Sequence, residues 1–236
     1  MKPSRTLGRT IWEGDSLLDG KPIVVIAIPS VYNIKTGPAL QCYILRQDIS
    51  PSDAANSGED YSICGNCVHR GTTKTRSCYV TLVQGPRVVW KGYQAGKYPR
   101  IAPSKMMKTL LVRLGAYGDP AAVPVWVWND LVRDAPGWTG FTHSPGVQDL
   151  RHLCQASVET AEQAAYWQER GYRTYRTSVD STLLQGEVYC PASEEMGHKV
   201  TCAQCMRCNG SEYNVAIRVH GAPHVRRNFA LNLVSA

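Results

Sequence analysis

The run Ile23-Val24-Val25-Ile26-Ala27-Ile28 is continuously apolar and mostly β-branched, which predicts a strand buried on both faces, the kind found in parallel sheets. From Asn33 to Asp60 the chain turns polar and rich in Gly, Pro, Ser and Asp, with one short strand at Gln41 to Leu45, and reads as an excursion from the scaffold. Pro86 to Ala95 can start a helix with proline in its first turn and stop it at Gly96. From Lys108 onward strands and helices alternate: strand from Thr109 to Leu114, helix from Val123 to Asp134, strand from Trp138 to His143, a helical turn from Gly146 to Arg151, and strand from Leu153 to Val158. Thr160 and Gln163 match a capping box, and Gly171 ends the helix they start. Strands at Tyr172 to Ser178, Glu187 to Cys190 and Tyr213 to Val219 bring the set to about seven, at spacings typical of repeated βα units.

This alternation predicts an α/β fold, an irregular (β/α) TIM-like barrel in a single domain of residues 1–236. A cysteine-rich excursion lies at about 33–80 and a cysteine-rich loop at about 190–210. Right-handed crossovers put the carboxyl ends of parallel strands on one side, so the polar residues there should converge. They include Tyr117, Asp119, Thr142, His143, Ser144, Ser157, Glu159, Arg176, Ser178, Asp180, Cys190 and His220, some of which serve only as caps and turn formers. Asp119, His143, Glu159 and Arg176 are the barrel-mouth candidates for chemistry.

Composition narrows the class. With 43% hydrophobic and 19% charged residues the chain has ordinary globular values. No apolar run approaches the roughly 20 residues that a membrane span requires, and Met1 to Gly20 lacks the apolar stretch of a secretory signal. The expectation is the cytoplasm. The net charge of +7 comes from dispersed basic residues, compatible with nucleic acid or acidic partners but specifying neither. No phosphate-binding G-x-x-x-x-G-K-[ST] loop and no G-x-S-x-G elbow occurs.

Nine cysteines in a reducing compartment point to metal or redox chemistry. The run Cys202-Ala203-Gln204-Cys205-Met206-Arg207-Cys208 places three thiolates on one tight loop. Cys190-Pro191 adds a fourth from a separate segment, as cluster-binding ferredoxins divide their ligands. A four-thiolate zinc site fits the same count. Cys64, Cys67 and Cys78, with His69 as a ligand or loop residue, form a second metal-binding set for either zinc or a three-thiolate cluster. Cys42 and Cys154 stand alone and read as core thiols.

These residues resemble a family of phage-encoded iron–sulfur proteins with a TIM-barrel fold, distantly akin to the radical SAM superfamily. The resemblance rests on Asn33-Ile34-Lys35-Thr36-Gly37, Cys64-Gly65-Asn66-Cys67, Ser77-Cys78-Tyr79, Arg113-Leu114-Gly115-Ala116-Tyr117-Gly118-Asp119-Pro120, Thr142-His143-Ser144, Arg176-Thr177-Ser178, Cys190-Pro191-Ala192-Ser193 and the Cys202 to Cys208 run. It spans about Ile23 to Gly221. It implies a barrel with a 4Fe-4S cluster and no settled biochemical activity. The superfamily's C-x-x-x-C-x-x-C loop is absent, and a cluster fully held by Cys190, Cys202, Cys205 and Cys208 would leave no iron open to S-adenosylmethionine.

Three functions follow as expectations. The first is a redox-active 4Fe-4S protein with an unidentified redox or host partner. The second is radical-type catalysis on a substrate held by Asp119, His143, Glu159 and Arg176. The third is a zinc-stabilised module binding nucleic acid or a host protein through its basic surface.

Overall fold

The computed structural model describes residues 8–180, 182–194, 196–197 and 199–234, so the first seven residues of the amino-terminal stretch read for a signal lie outside it. Apolar, β-branched runs become strands: β1 (Arg9–Asp15), β2 (Pro22–Ser30), β3 (Ala39–Arg46), β4 (Leu111–Tyr117), β5 (Trp138–Thr142), β6 (Gln155–Val158), β7 (Thr174–Ser178), β8 (Glu187–Tyr189) and β9 (Asn214–Arg218). The helices are α1 (Pro51–Ser57), α2 (Tyr61–Cys64), α3 (Gly85–Gln94), α4 (Val125–Val132), α5 (Ala161–Glu169), α6 (Cys202–Cys205) and α7 (Pro223–Val234). All nine strands join one sheet in the order β1-β2-β3-β4-β5-β6-β7-β9-β8. The first three form an antiparallel meander, and every pairing from β3 onward is parallel.

The α/β class is as expected, but the sheet is not closed. β1 and β8 stand at its two ends, whereas a barrel joins its edges. The parallel part is nevertheless curled. Arg113 on β4, Phe141 on β5, Ser157 on β6, Tyr175 on β7 and Ile217 on β9 all line one cavity of about 190 Å³ on its concave side.

The amino-terminal strands also correct the sequence reading. Ile23 to Ala27 are fully buried as expected of a strand covered on both faces, yet β2 runs antiparallel to both neighbours, because burial reports coverage and not direction. The supposed excursion holds β3, an internal strand that joins the meander to the parallel array. β1 was not expected; a register shift between Thr10 and Trp12 breaks its period of two. α7 was not expected either.

The main core lies around β2, β3, β4 and α4, with Trp128 fully buried and donating its indole N–H to the Pro120 carbonyl at 2.9 Å. Cys42 and Cys154 are both fully buried within it, and burial pushes both thiols up. The capping box of α5 forms as its sequence specifies: the Thr160 hydroxyl accepts from Gln163 N, and the Gln163 side chain accepts from Thr160 N. Among the described residues no helix is long and apolar enough to cross a membrane.

Candidate metal centre and cavity

The first cysteine set is assembled by short-range backbone turns. Cys64 ends α2, Cys67 N donates to Cys64 O at 3.2 Å, and Cys78 N returns to His69 O at 3.0 Å, which straps the third cysteine to the loop of the first two. The Arg113 to Pro120 segment supports this loop from below. Asp119 N donates to Ile63 O at 2.6 Å, and Gly118, at φ +85°, sits so close to β3 that an added Cβ would lie 2.7 Å from the Ile44 Cβ. Only glycine meets both demands. Cys64, Cys67 and Cys78 all line the cavity. Burial raises the Cys64 thiol well above its ordinary value, and the charges of Cys67, Asp60, Cys78 and Asp119 add to the effect.

The second set comes from two segments, as its spacing implied. Cys190 N donates to Ala216 O at 2.9 Å just beyond β8, while Cys202 and Cys208 pack against a small cluster of Cys190, Ala192, Val215 and Ile217. Burial raises the Cys208 thiol well above its ordinary value, with Cys190, Cys202 and Cys205 adding to it. The loop is fixed at both ends of its run: Cys202 N donates to Lys35 O at 3.0 Å, and Cys208 O accepts from Gly140 N at 3.0 Å. All nine cysteines are free thiols.

Each set faces a basic side chain. Arg76 is only 9% exposed, and its Nε and Nη1 have no hydrogen-bond partner. Burial works against its charge, but Cys78, which it hydrogen-bonds, together with Tyr117 and Cys64, outweighs that effect. Arg113 faces Tyr79, Cys202 and Tyr175; Nη2 donates to the Tyr79 hydroxyl at 2.7 Å and Nε is unpartnered. Lys35 lowers the thiols of Cys190, Cys202 and Cys208 against the larger effect of burial. Among the described residues, no carboxylate forms an ion pair with Arg76, Arg113 or Lys35.

The barrel-mouth candidates divide. Asp119, His143 and Glu159 do converge: Asp119 Oδ2 accepts from His143 N at 2.8 Å, and Glu159 Oε1 lies 3.1 Å from His143 Nε2. Asp119 is committed to backbone, since Oδ1 also accepts from Ala121 N at 2.9 Å; burial raises its carboxyl against these bonds. Arg176 does not join them. It is buried, turned to Glu187 in a two-pronged ion pair at 2.9 and 2.7 Å, and donates to Thr182 O. Strand alternation explains the split: Tyr175 and Thr177 face the cavity, so Arg176 between them points to the other side.

Glu159 Oε1 takes a second partner, His69 Nε2 at 3.2 Å, and His69 Nδ1 pairs with the Ser77 hydroxyl at 2.9 Å. Burial would raise the Glu159 carboxyl, but hydrogen bonds from His143 and His69 prevail and hold it at about 2. His69 is lowered, chiefly by burial. His143 is raised well above its ordinary value, because Cys67, by charge and hydrogen bond, and Glu159 together overcome burial.

Several contributors escaped sequence reasoning. Phe229 of α7 stacks on His69 with centroids 5.1 Å apart. Asn228 donates to Lys74 O and Arg76 O, and Asn232 donates to Val68 O and the Ser77 hydroxyl. Pro223 in a first helical turn was the available signal for α7. Comparison with known proteins finds no matching family model, no similar curated protein and no similar solved structure.

Proposed function

We propose that the chain is a redox-active iron–sulfur protein in which Cys190, Cys202, Cys205 and Cys208 hold a 4Fe-4S cluster, next to a cavity that receives a small substrate. The observation that carries this reading is the pairing of grouped, mostly half-buried thiols with cationic groups that, among the described residues, form no ion pair with a carboxylate. Burying a charge without a counter-ion is strongly unfavourable, and a thiolate-ligated cluster is itself anionic. Arg113 and Lys35 face the second cysteine set, and Arg76 faces the first. When bound, such a cluster supplies one-electron transfer; the protein's part is to hold it, screen its charge and seal one wall of the cavity with Phe141, Tyr175 and Ile217.

Reconstitution with iron and sulfide under anaerobic conditions tests the proposal. The wild-type chain should take up iron and acid-labile sulfide in equal amounts, with broad visible absorption that bleaches on reduction and an electron paramagnetic resonance signal from the reduced form. Cys208→Ser should lose most of it. Stoichiometric zinc without iron or sulfide would overturn the reading.

One observation favours a radical-SAM-like enzyme as the second reading. Cys64, Cys67 and Cys78 all open onto the cavity, and three thiolates leave one corner of a cubane free for an exogenous ligand. S-adenosylmethionine added to reconstituted protein should then perturb the reduced spectrum, and this response should vanish in Cys67→Ser. An unchanged spectrum excludes it.

A further inference from the structure

Among the described residues, the metal-ligating side chains whose ligand atoms lie within 4.8 Å of one another are those of His69, His143 and Glu159, and not the cysteines. His69 lies on the loop after α2, His143 beyond β5 and Glu159 beyond β6, and one ligand atom of each comes within 4.8 Å of the others. The two nitrogens lie 3.2 and 3.1 Å from the same carboxylate oxygen. Metal–ligand bonds of about 2.0–2.2 Å place neighbouring ligand atoms about 3–3.5 Å apart around a single ion. The two rings meet edge to face, with centroids 5.3 Å apart and planes at 80°.

We propose that His69, His143 and Glu159 form a mononuclear site for a divalent first-row transition ion, with its open positions turned to the cavity. Two imidazoles and one carboxylate on one side of an ion leave room for water or substrate, the arrangement typical of non-haem iron(II) sites. Both histidines line the cavity, and Glu159 is 8% exposed. The ligands are oriented as such sites require. His69 Nδ1 is held by Ser77, its ring is backed by Phe229, and His143 hydrogen-bonds Cys67. The site stands on these three side chains whether or not the cysteines hold clusters.

Manganese(II) separates this site from the thiols, because it prefers carboxylate and imidazole to sulfur. Full-length protein, prepared without chelator under anaerobic conditions, is titrated with Mn2+ while the electron paramagnetic resonance signal of the free ion is followed. One equivalent should bind, and pulsed spectra of the bound ion should show coupling to imidazole nitrogen. His69→Gln and Glu159→Gln should each weaken binding by about tenfold or more. His152→Gln, at an exposed histidine outside the site, should leave it unchanged. Wild-type protein that leaves Mn2+ free at millimolar concentration overturns the proposal even if a variant fails to fold. So does bound Mn2+ without nitrogen coupling, or folded variants that bind like the wild type; the triad is then a hydrogen-bonded network only.

Discussion

Arg113 Nη2 donates to the Tyr79 hydroxyl across 2.7 Å and so ties the strand facing Cys202 to the residue that follows Cys78. The two cysteine sets are therefore joined through one guanidinium and one phenol, with Tyr175 beside them.

Removal of that guanidinium should be read in the reduction potential. A cation near an anionic cluster favours the reduced, more negative form. Arg113→Gln is expected to make the potential of the reconstituted protein more negative by on the order of tens of millivolts, on a scale where ~59 mV is a tenfold change for one electron. Protein-film voltammetry measures it, and an unchanged potential would dissociate Arg113 from the cluster.

Arg76 should act oppositely in loaded and metal-free protein. Its Nε and Nη1 are buried and unpartnered, an arrangement that costs about 1–3 kcal/mol per unsatisfied group. Arg76→Met is expected to leave the metal-free chain as stable as wild type or more so in urea, and to reduce iron retention after reconstitution. A variant that keeps its iron and loses metal-free stability would assign Arg76 a purely structural role.

Acid should uncover the Glu159 pair. The carboxyl titrates at about 2 in the folded chain against 4.5 for an ordinary glutamate. Between those values the unfolded chain takes up a proton that the native one refuses. The contribution, of order 3 kcal/mol, is thus fully present above about pH 4.5 and is lost as pH falls toward 2. Urea titrations of metal-free protein from pH 6 down to pH 3 should show a steeper loss of stability for wild type than for Glu159→Gln; parallel curves would contradict the pair.

Arg176 provides the contrasting case of a barrel-mouth candidate with structural duty. Its ion pair with Glu187 has side chains 7% and 0% exposed. Arg176→Met should cost about 3–5 kcal/mol by stranding the Glu187 carboxylate, and the double variant Arg176→Met/Glu187→Leu should recover much of that loss. Thermal unfolding of the two proteins decides it; equal melting temperatures would mean that the pair is not coupled.

Gly140 sets the position of the second cysteine loop. A Cβ there would lie 2.5 Å from Leu153 O and 2.6 Å from Cys154 Sγ, on the strand whose amide holds Cys208 O. Gly140→Ala is expected to destabilise the fold by about 1–3 kcal/mol and to lower iron uptake. Normal uptake would show that the loop adapts.

The amino-acid sequence made much of this legible, for stated reasons. Strong periodicity located β4 to β7, and the residue types Thr160 and Gln163 specified their helix cap. C-x-x-C spacing marked both cysteine loops, because thiols three apart share one turn of chain. What it concealed depends on pairing at long range. Strand direction at β2, the internal place of β3 and the open edges of the sheet follow from partners far along the chain. Arg176 was misplaced because a strand's alternation was applied without fixing which set of side chains faces inward. His69 meets Glu159 only after the loop and β6 are assembled, so no local pattern announces the encounter.

The bonds from Cys202 N to Lys35 O and from Ala203 N to Thr36 O carry a temporal implication. Synthesis delivers the early loop long before the late one can reach it, so the meander must wait in place while the remaining strands are added. If the proposed ligand set holds, loading of that cysteine site has to await both the loop of Lys35 and Thr36 and the run ending at Cys208, and chains released before Cys208 would lack a complete ligand set.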